Sequence, residues 1–124
     1  MAACLCVGAG GFLGAVLRYL ASLVIYHEHF PAATLFVNFI GSLVIGIVIE
    51  ISEKTGTAPN LILFFKTGVC GGFTTFSTFS SEVLDLFEKR AYLTGAGYAA
   101  GSVIVCVLGV LLGRAIADFF FKTV

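Results

Sequence analysis

The chain has 124 residues, 59% of them hydrophobic and 11% charged, with a mean hydropathy of +1.07. Soluble domains carry about 25% charged residues, so this composition predicts an all-α integral membrane protein and excludes a soluble globular fold. Seven Lys+Arg against seven Asp+Glu leave no basic face for nucleic acid and no polybasic cluster for lipid head groups.

A transmembrane helix needs about 20 mostly apolar residues. Residues 2–26 meet that length with Arg18 as their only charge. They lack a basic leader and are too long for a signal peptide, so they read as a span. His27-Glu28-His29-Phe30-Pro31 is a polar turn, with Pro31 suited to start a helix. Residues 30–49 form an uncharged second span, and residues 50–60, with Glu53, Lys54, Gly56 and Pro59, read as a loop. The third span covers about 61–87, Glu88-Lys89-Arg90 returns to water, and the fourth span covers about 91–113. Arg114, Asp118 and Lys122 then flank an aromatic tail, Phe119-Phe120-Phe121. The expectation is one domain, residues 1–124, with four transmembrane helices.

Small residues recur at four-residue spacing in the three unbroken spans: Gly10/Gly14, Ser42/Gly46, Gly97/Gly101 and Gly109/Gly113. Such pairs let helix backbones approach closely in lipid. Gly8 to Gly14 superficially resembles a dinucleotide fingerprint, but that reading requires a strand–turn–helix context, so these glycines are assigned to packing. Cys4, Cys6, Cys70 and Cys106 all fall in apolar segments without zinc spacing and read as small hydrophobes.

With four spans, one side carries Lys54, Lys66, Arg114 and Lys122, and the other carries Arg18, Lys89 and Arg90. So even a distribution hardly biases insertion. The chain is expected to insert in both orientations and to pair as an antiparallel homodimer, which reproduces an inverted repeat.

The third span is interrupted at Gly71-Gly72-Phe73-Thr74-Thr75-Phe76-Ser77-Thr78-Phe79-Ser80-Ser81. Paired glycines lose backbone entropy in a helix, and the hydroxyls offer the backbone other partners. A helix broken at membrane depth points to an ion or substrate site. The hydroxyls of Thr75, Ser77 and Thr78 interleave with Phe76 and Phe79, whose positive ring edges suit an anion. A full cation there would hold the anion too tightly for conduction. Thr34 and Asn38 share one face of the second span, and Asn38 reads as pore lining or as glue between helices. Tyr98, Ser102 and Cys106 form a similar line on the fourth span. Arg18 and Lys66 each read either as snorkelling to the interface or as adding positive potential to an anion vestibule.

Gly71-Gly72-Phe73-Thr74-Thr75-Phe76-Ser77-Thr78-Phe79 closely resembles the signature of the Fluc (CrcB-type) fluoride channels. Gly14-Ala15-x-x-Arg18-Tyr19 and Val37-Asn38-x-x-Gly41 are similar to that family's first- and second-helix motifs. The resemblance covers essentially the whole chain. It implies a fluoride-selective channel of the plasma (inner) membrane that exports fluoride passively through two pores of an antiparallel dual-topology homodimer. By that likeness Phe76 and Phe79 line the pores, Asn38 is the amide beside the fluoride path, and Tyr98 and Ser102 belong to a polar track. The backbone carbonyls of Gly71 and Thr74 from both chains would hold a structural sodium ion at the dimer centre. Cys106 departs from the pattern, since a hydroxyl is usual there.

Three rivals differ in what they require. A small multidrug resistance-type exporter and a fluoride–proton antiporter both need a buried titratable relay, but the first span carries no carboxylate, and Glu50 and Glu82 sit at span edges or just after the break. A non-conducting assembly subunit would explain the glycines but not the broken polar span. No nucleophile–base arrangement supports an enzyme.

Overall fold

The computed structural model describes residues 1–25 and 30–123, so the predicted turn at His27-Glu28-His29 and the end of the first span at Tyr26 lie outside the described residues. Helix α1 (Ala2–Val24) and helix α2 (Ala32–Thr55) are continuous, and Pro31 occupies the cap position of α2. The third hydrophobic segment is split into α3, residues 59–73, and α4 (Phe76–Glu88). Helix α5 (Tyr92–Thr123) closes the chain. Among the described residues every regular element is helical, and α1, α2 and α5 are long and apolar enough to cross a bilayer.

Two backbone-to-backbone crossings organise the helices. Helices α2 and α5 pack along most of their shared length. A side chain at Gly46 would run into the Val110 carbonyl, and one at Gly113 into the Leu43 carbonyl. On the other side, α1 lies against α3. A Cβ at Gly10 would sit 2.9 Å from Val69 N, and one at Gly14 would sit 2.7 Å from Phe73 N. Three of the predicted small-residue pairs thus contribute a residue to a crossing. Gly97 and Gly101 do not, because nothing lies within 4 Å of either position.

Dispersion is the main attraction between apolar helices in lipid, so close approach matters more than it does in water. Gly113→Val is therefore expected to cost at least about 1–3 kcal/mol by overpacking. Gly97→Val, on an open face, serves as the control. Thermal unfolding in detergent, followed by loss of the monodisperse peak, reads the difference.

Several boundaries differ from the sequence reading. Helix α2 continues past Glu50 to Thr55, leaving only residues 56–58 as the loop, with Gly56 in the left-handed conformation (φ 61°). Helix α5 runs on through Arg114, Asp118 and the phenylalanines to Thr123. The two extensions hold each other. Arg114 Nε lies 3.0 Å from Glu50 Oε2 and its Nη2 lies 2.6 Å from Glu53 Oε2. Lys54 bridges Glu50 and Asp118, and Lys122 reaches Asp118 at 2.6 Å. Charges that read as loop markers are cross-links between two helix ends. At 32 residues, α5 is about 48 Å long against a hydrocarbon core of about 30 Å, so its charged end extends beyond the core.

The interruption itself is narrower than expected. Gly71–Phe73 is helical, and α4 already begins at Phe76. Only Thr74 (φ −76°, ψ 156°) and Thr75 (φ −149°, ψ 112°) leave the helical region. Upstream, Leu63–Cys70 winds as a π-helix, longer than the single-turn bulges in which that conformation usually occurs. The wider coil lies where Gly10 presses on Gly68 and Val69.

Candidate functional site

The two extended threonines end one helix and start the next by local hydrogen bonds. Cys70 O accepts from Thr74 N at 2.9 Å and from Thr74 Oγ1 at 2.8 Å, which closes α3. Thr75 caps α4, its Oγ1 accepting from Thr78 N at 3.2 Å and donating to Thr78 Oγ1 at 2.9 Å. Ser77 Oγ lies 3.4 Å from the same hydroxyl. A threonine cap of this kind is worth about 1 kcal/mol to the helix.

Asn38 supplies what the broken backbone lacks. Thr75 N donates to Asn38 Oδ1 at 2.8 Å, and Asn38 Nδ2 donates to Thr75 O at 3.3 Å. One side chain from α2 thus pairs both backbone groups of the residue at the break. Each group would otherwise cost about 1–3 kcal/mol unpaired, and more in hydrocarbon. Asn38 thus joins two helices and also lines a cavity.

Two cavities meet at Thr75, which is 9% exposed. The first, about 350 Å³, is lined by Arg18, Tyr19, Ser22, Thr34, Thr75 and Thr78 among others. Arg18 Nε is buried without a partner among the described residues. Arg18 is among the residues that border this cavity. The second cavity, also about 350 Å³, is lined by Asn38, Thr74, Thr75, Phe76, Phe79 and Ser102, with Cys106 beside them. Every residue on its wall is neutral. Phe76 and Phe79 have ring centroids 5.6 Å apart, and Phe79 lies 5.2 Å from Tyr98. Phe79 is buried, whereas Phe76 is 79% exposed within a single chain.

The remaining predicted residues fall around these cavities rather than in them. Tyr98 is buried behind Phe79, and Ser77 lines neither cavity. Gly71 is exposed, with open space around its α-carbon. In a continuous helix the carbonyls of Gly71 and Thr74 would accept from Thr75 N and Thr78 N. Here those donors turn to Asn38 Oδ1 and Thr75 Oγ1. Phe73, the third phenylalanine of the stretch, faces elsewhere and lines a separate apolar cavity together with Leu17, Ile40 and Gly41.

One residue that the sequence reading set aside joins the site. Glu82 Oε1 accepts from Thr34 Oγ1 at 2.6 Å, and its Oε2 accepts from Tyr98 OH at 2.7 Å. The carboxylate thus ties α2, α4 and α5 together, about 9 Å along α4 from Phe76. The spacing Thr75, Thr78, Phe79, Glu82 places it on the face of α4 that carries the cap and the buried ring, and that was the available signal.

A broken, hydroxyl-rich helix paired by an amide from a neighbouring apolar helix, beside a neutral aromatic cavity, belongs to a multi-pass integral membrane protein with a polar break inside its apolar interior. Residues 5–114 match the family model described as CrcB-like protein, Camphor Resistance (CrcB). The chain belongs to this CrcB family. It is 45% identical over 116 residues to a protein of Rhizobium meliloti (strain 1021) called fluoride-specific ion channel FluC, covering 90% of this chain and 93% of that one. A protein of the same name from Phocaeicola vulgatus is 40% identical over 91% of this chain and 96% of its own. Another, from Clostridium novyi (strain NT), is 39% identical over 93% of each.

Proposed function

We propose that this chain forms a fluoride-selective channel that lets fluoride leave the cell passively across the plasma membrane. The observation that carries the reading is the convergence at the second cavity of three kinds of donor suited to a small anion. Phe76 and Phe79 offer ring edges. Asn38 keeps one N–H beyond the one given to Thr75. The N-terminus of α4, at Thr75 and Phe76, adds the positive end of a helix dipole. None of these is a full charge, so an ion is solvated without being trapped. The names of the relatives supply the ion, and the family supplies a transport rather than a catalytic role.

The exposed Phe76 calls for a covering surface, which a second copy of the chain in the opposite orientation would provide. In such a homodimer the third hydrophobic segment, α3 with α4, makes the fourth crossing, and each chain lines one of two pores. The Gly71 and Thr74 carbonyls, freed of their helical donors, fit a hard cation that prefers oxygen ligands. They would hold a structural sodium ion between the chains, fixing the two breaks against each other. Thorough exchange of sodium for potassium is then expected to lower fluoride efflux, with sodium alone restoring it. Undiminished efflux would remove the ion from the account.

Glu82 favours one second reading, because an intramembrane carboxylate can relay protons. A fluoride–proton antiporter needs that carboxylate to titrate, whereas a channel needs only its hydrogen bonds. Glu82→Gln preserves an acceptor for one hydroxyl and offers the other a donor. Fluoride efflux is expected to stay within about threefold of wild type, less than 1 kcal/mol at the barrier. Loss of efflux, together with loss of proton movement, would favour the antiporter. The proposal as a whole is tested by efflux from liposomes read with ion-selective electrodes: fluoride should leave and chloride should stay.

A further inference from the structure

Cys106 lines the same cavity as Phe76 and Phe79, where its thiol is a weaker hydrogen-bond donor than a hydroxyl but a far better nucleophile. One turn away, Ser102 is 6% exposed, and its Oγ is buried with no partner among the described residues. A buried hydroxyl left unpaired beside an open volume marks a place where a polar guest is received. The other cysteines are placed differently. Cys70 is 1% exposed, and Cys4 and Cys6 lie near the start of α1, away from both cavities.

We propose that Cys106 is a modification site inside the cavity, at which a small uncharged electrophile carrying a sulfenyl sulfur caps the thiol and blocks the path. The blocking half rests on the reading of this cavity as the fluoride path. The volume, about 350 Å³, is at the small end of ligand sites, and its neutral wall favours an uncharged reagent over a charged one. With methyl methanethiosulfonate, Cys106 yields its proton to water and the thiolate attacks the methylthio sulfur. A new S–S bond forms, the bond to the sulfonyl sulfur breaks, and its electron pair leaves with methanesulfinate. The reagent is the oxidant, and the cysteine ends at the disulfide level.

The test treats the full-length protein in liposomes with methyl methanethiosulfonate, maps the capped thiols by peptide mass spectrometry and measures fluoride efflux before and after. Cys106 should be capped, efflux should fall by roughly tenfold or more as the constriction fills, and dithiothreitol should restore it. The double variant Cys4→Ser, Cys6→Ser should respond in the same way, whereas in Cys106→Ser the treated and untreated rates should be equal. Cys106 still free after Cys4 and Cys6 are fully capped would overturn the site. Unchanged efflux with Cys106 capped would overturn the block, as would a wild-type response in Cys106→Ser. Vesicles that release no fluoride before treatment contradict the channel reading instead. In that case the thiol map alone decides, with a capped Cys106 supporting the site and an intact one overturning it.

Discussion

Phe79→Leu should leave the protein folded and assembled while lowering fluoride efflux roughly a hundredfold, the equivalent of about 2.7 kcal/mol at the barrier. Leucine keeps most of the apolar bulk, and swaps of that kind usually cost less than about 1.5 kcal/mol of stability. What disappears is the quadrupole that makes the ring edge positive, together with the contacts to Phe76 and Tyr98 at 5.6 and 5.2 Å. Phe76→Leu should behave similarly in flux and cost less stability, because Phe76 is mostly exposed within the chain. Phe73→Leu is the internal control, since Phe73 lines a separate apolar cavity with Leu17 and Ile40. Size-exclusion chromatography checks assembly, and a fluoride electrode reads efflux. Wild-type rates in both Phe76→Leu and Phe79→Leu would return the two rings to packing.

The second large effect is expected at Asn38, where two substitutions separate architecture from path. Asn38→Leu leaves Thr75 N and Thr75 O without their partners, at about 1–3 kcal/mol for each buried group. Both the melting temperature and the efflux should fall sharply. Asn38→Asp keeps the acceptor for Thr75 N, so most of the fold should survive. It also places an anionic side chain on the wall of an anion path, and like charge at a constriction excludes the ion. Efflux should therefore be lost from an assembled protein. Full efflux in Asn38→Asp would show that the second cavity is not the route.

What the sequence revealed follows from how local each signal is. The break at Thr74 and Thr75 was legible because glycines, threonines and serines weaken a helix where they stand. Its width was not, because Asn38 and the Thr75 hydroxyl satisfy so much of the backbone that only two residues need leave the helix. Asn38 stood out as an amide in an uncharged span, yet its partner lies 37 residues away. Glu82 was set aside as a residue just after the break. Its role depends on Thr34 and Tyr98, which are 48 and 16 residues distant and reach it only once the helices pack. The ends of α2 and α5 were misplaced for the same reason. Glu50, Lys54, Arg114 and Asp118 read as loop charges until their ion pairs across 64 residues are seen. The π-helix at Leu63–Cys70 carries no residue that an α-helix would refuse, so its register was not legible at all.

The most direct test of the account is the reversal potential of current through the purified protein in a planar bilayer, with a tenfold fluoride gradient and equal pH and chloride on both sides. A passive fluoride path predicts a current that reverses at the fluoride equilibrium potential, about 59 mV for one charge per tenfold gradient. That value should not move when a pH gradient is added. The absence of current, a reversal near zero, or a reversal that follows the proton gradient would contradict it.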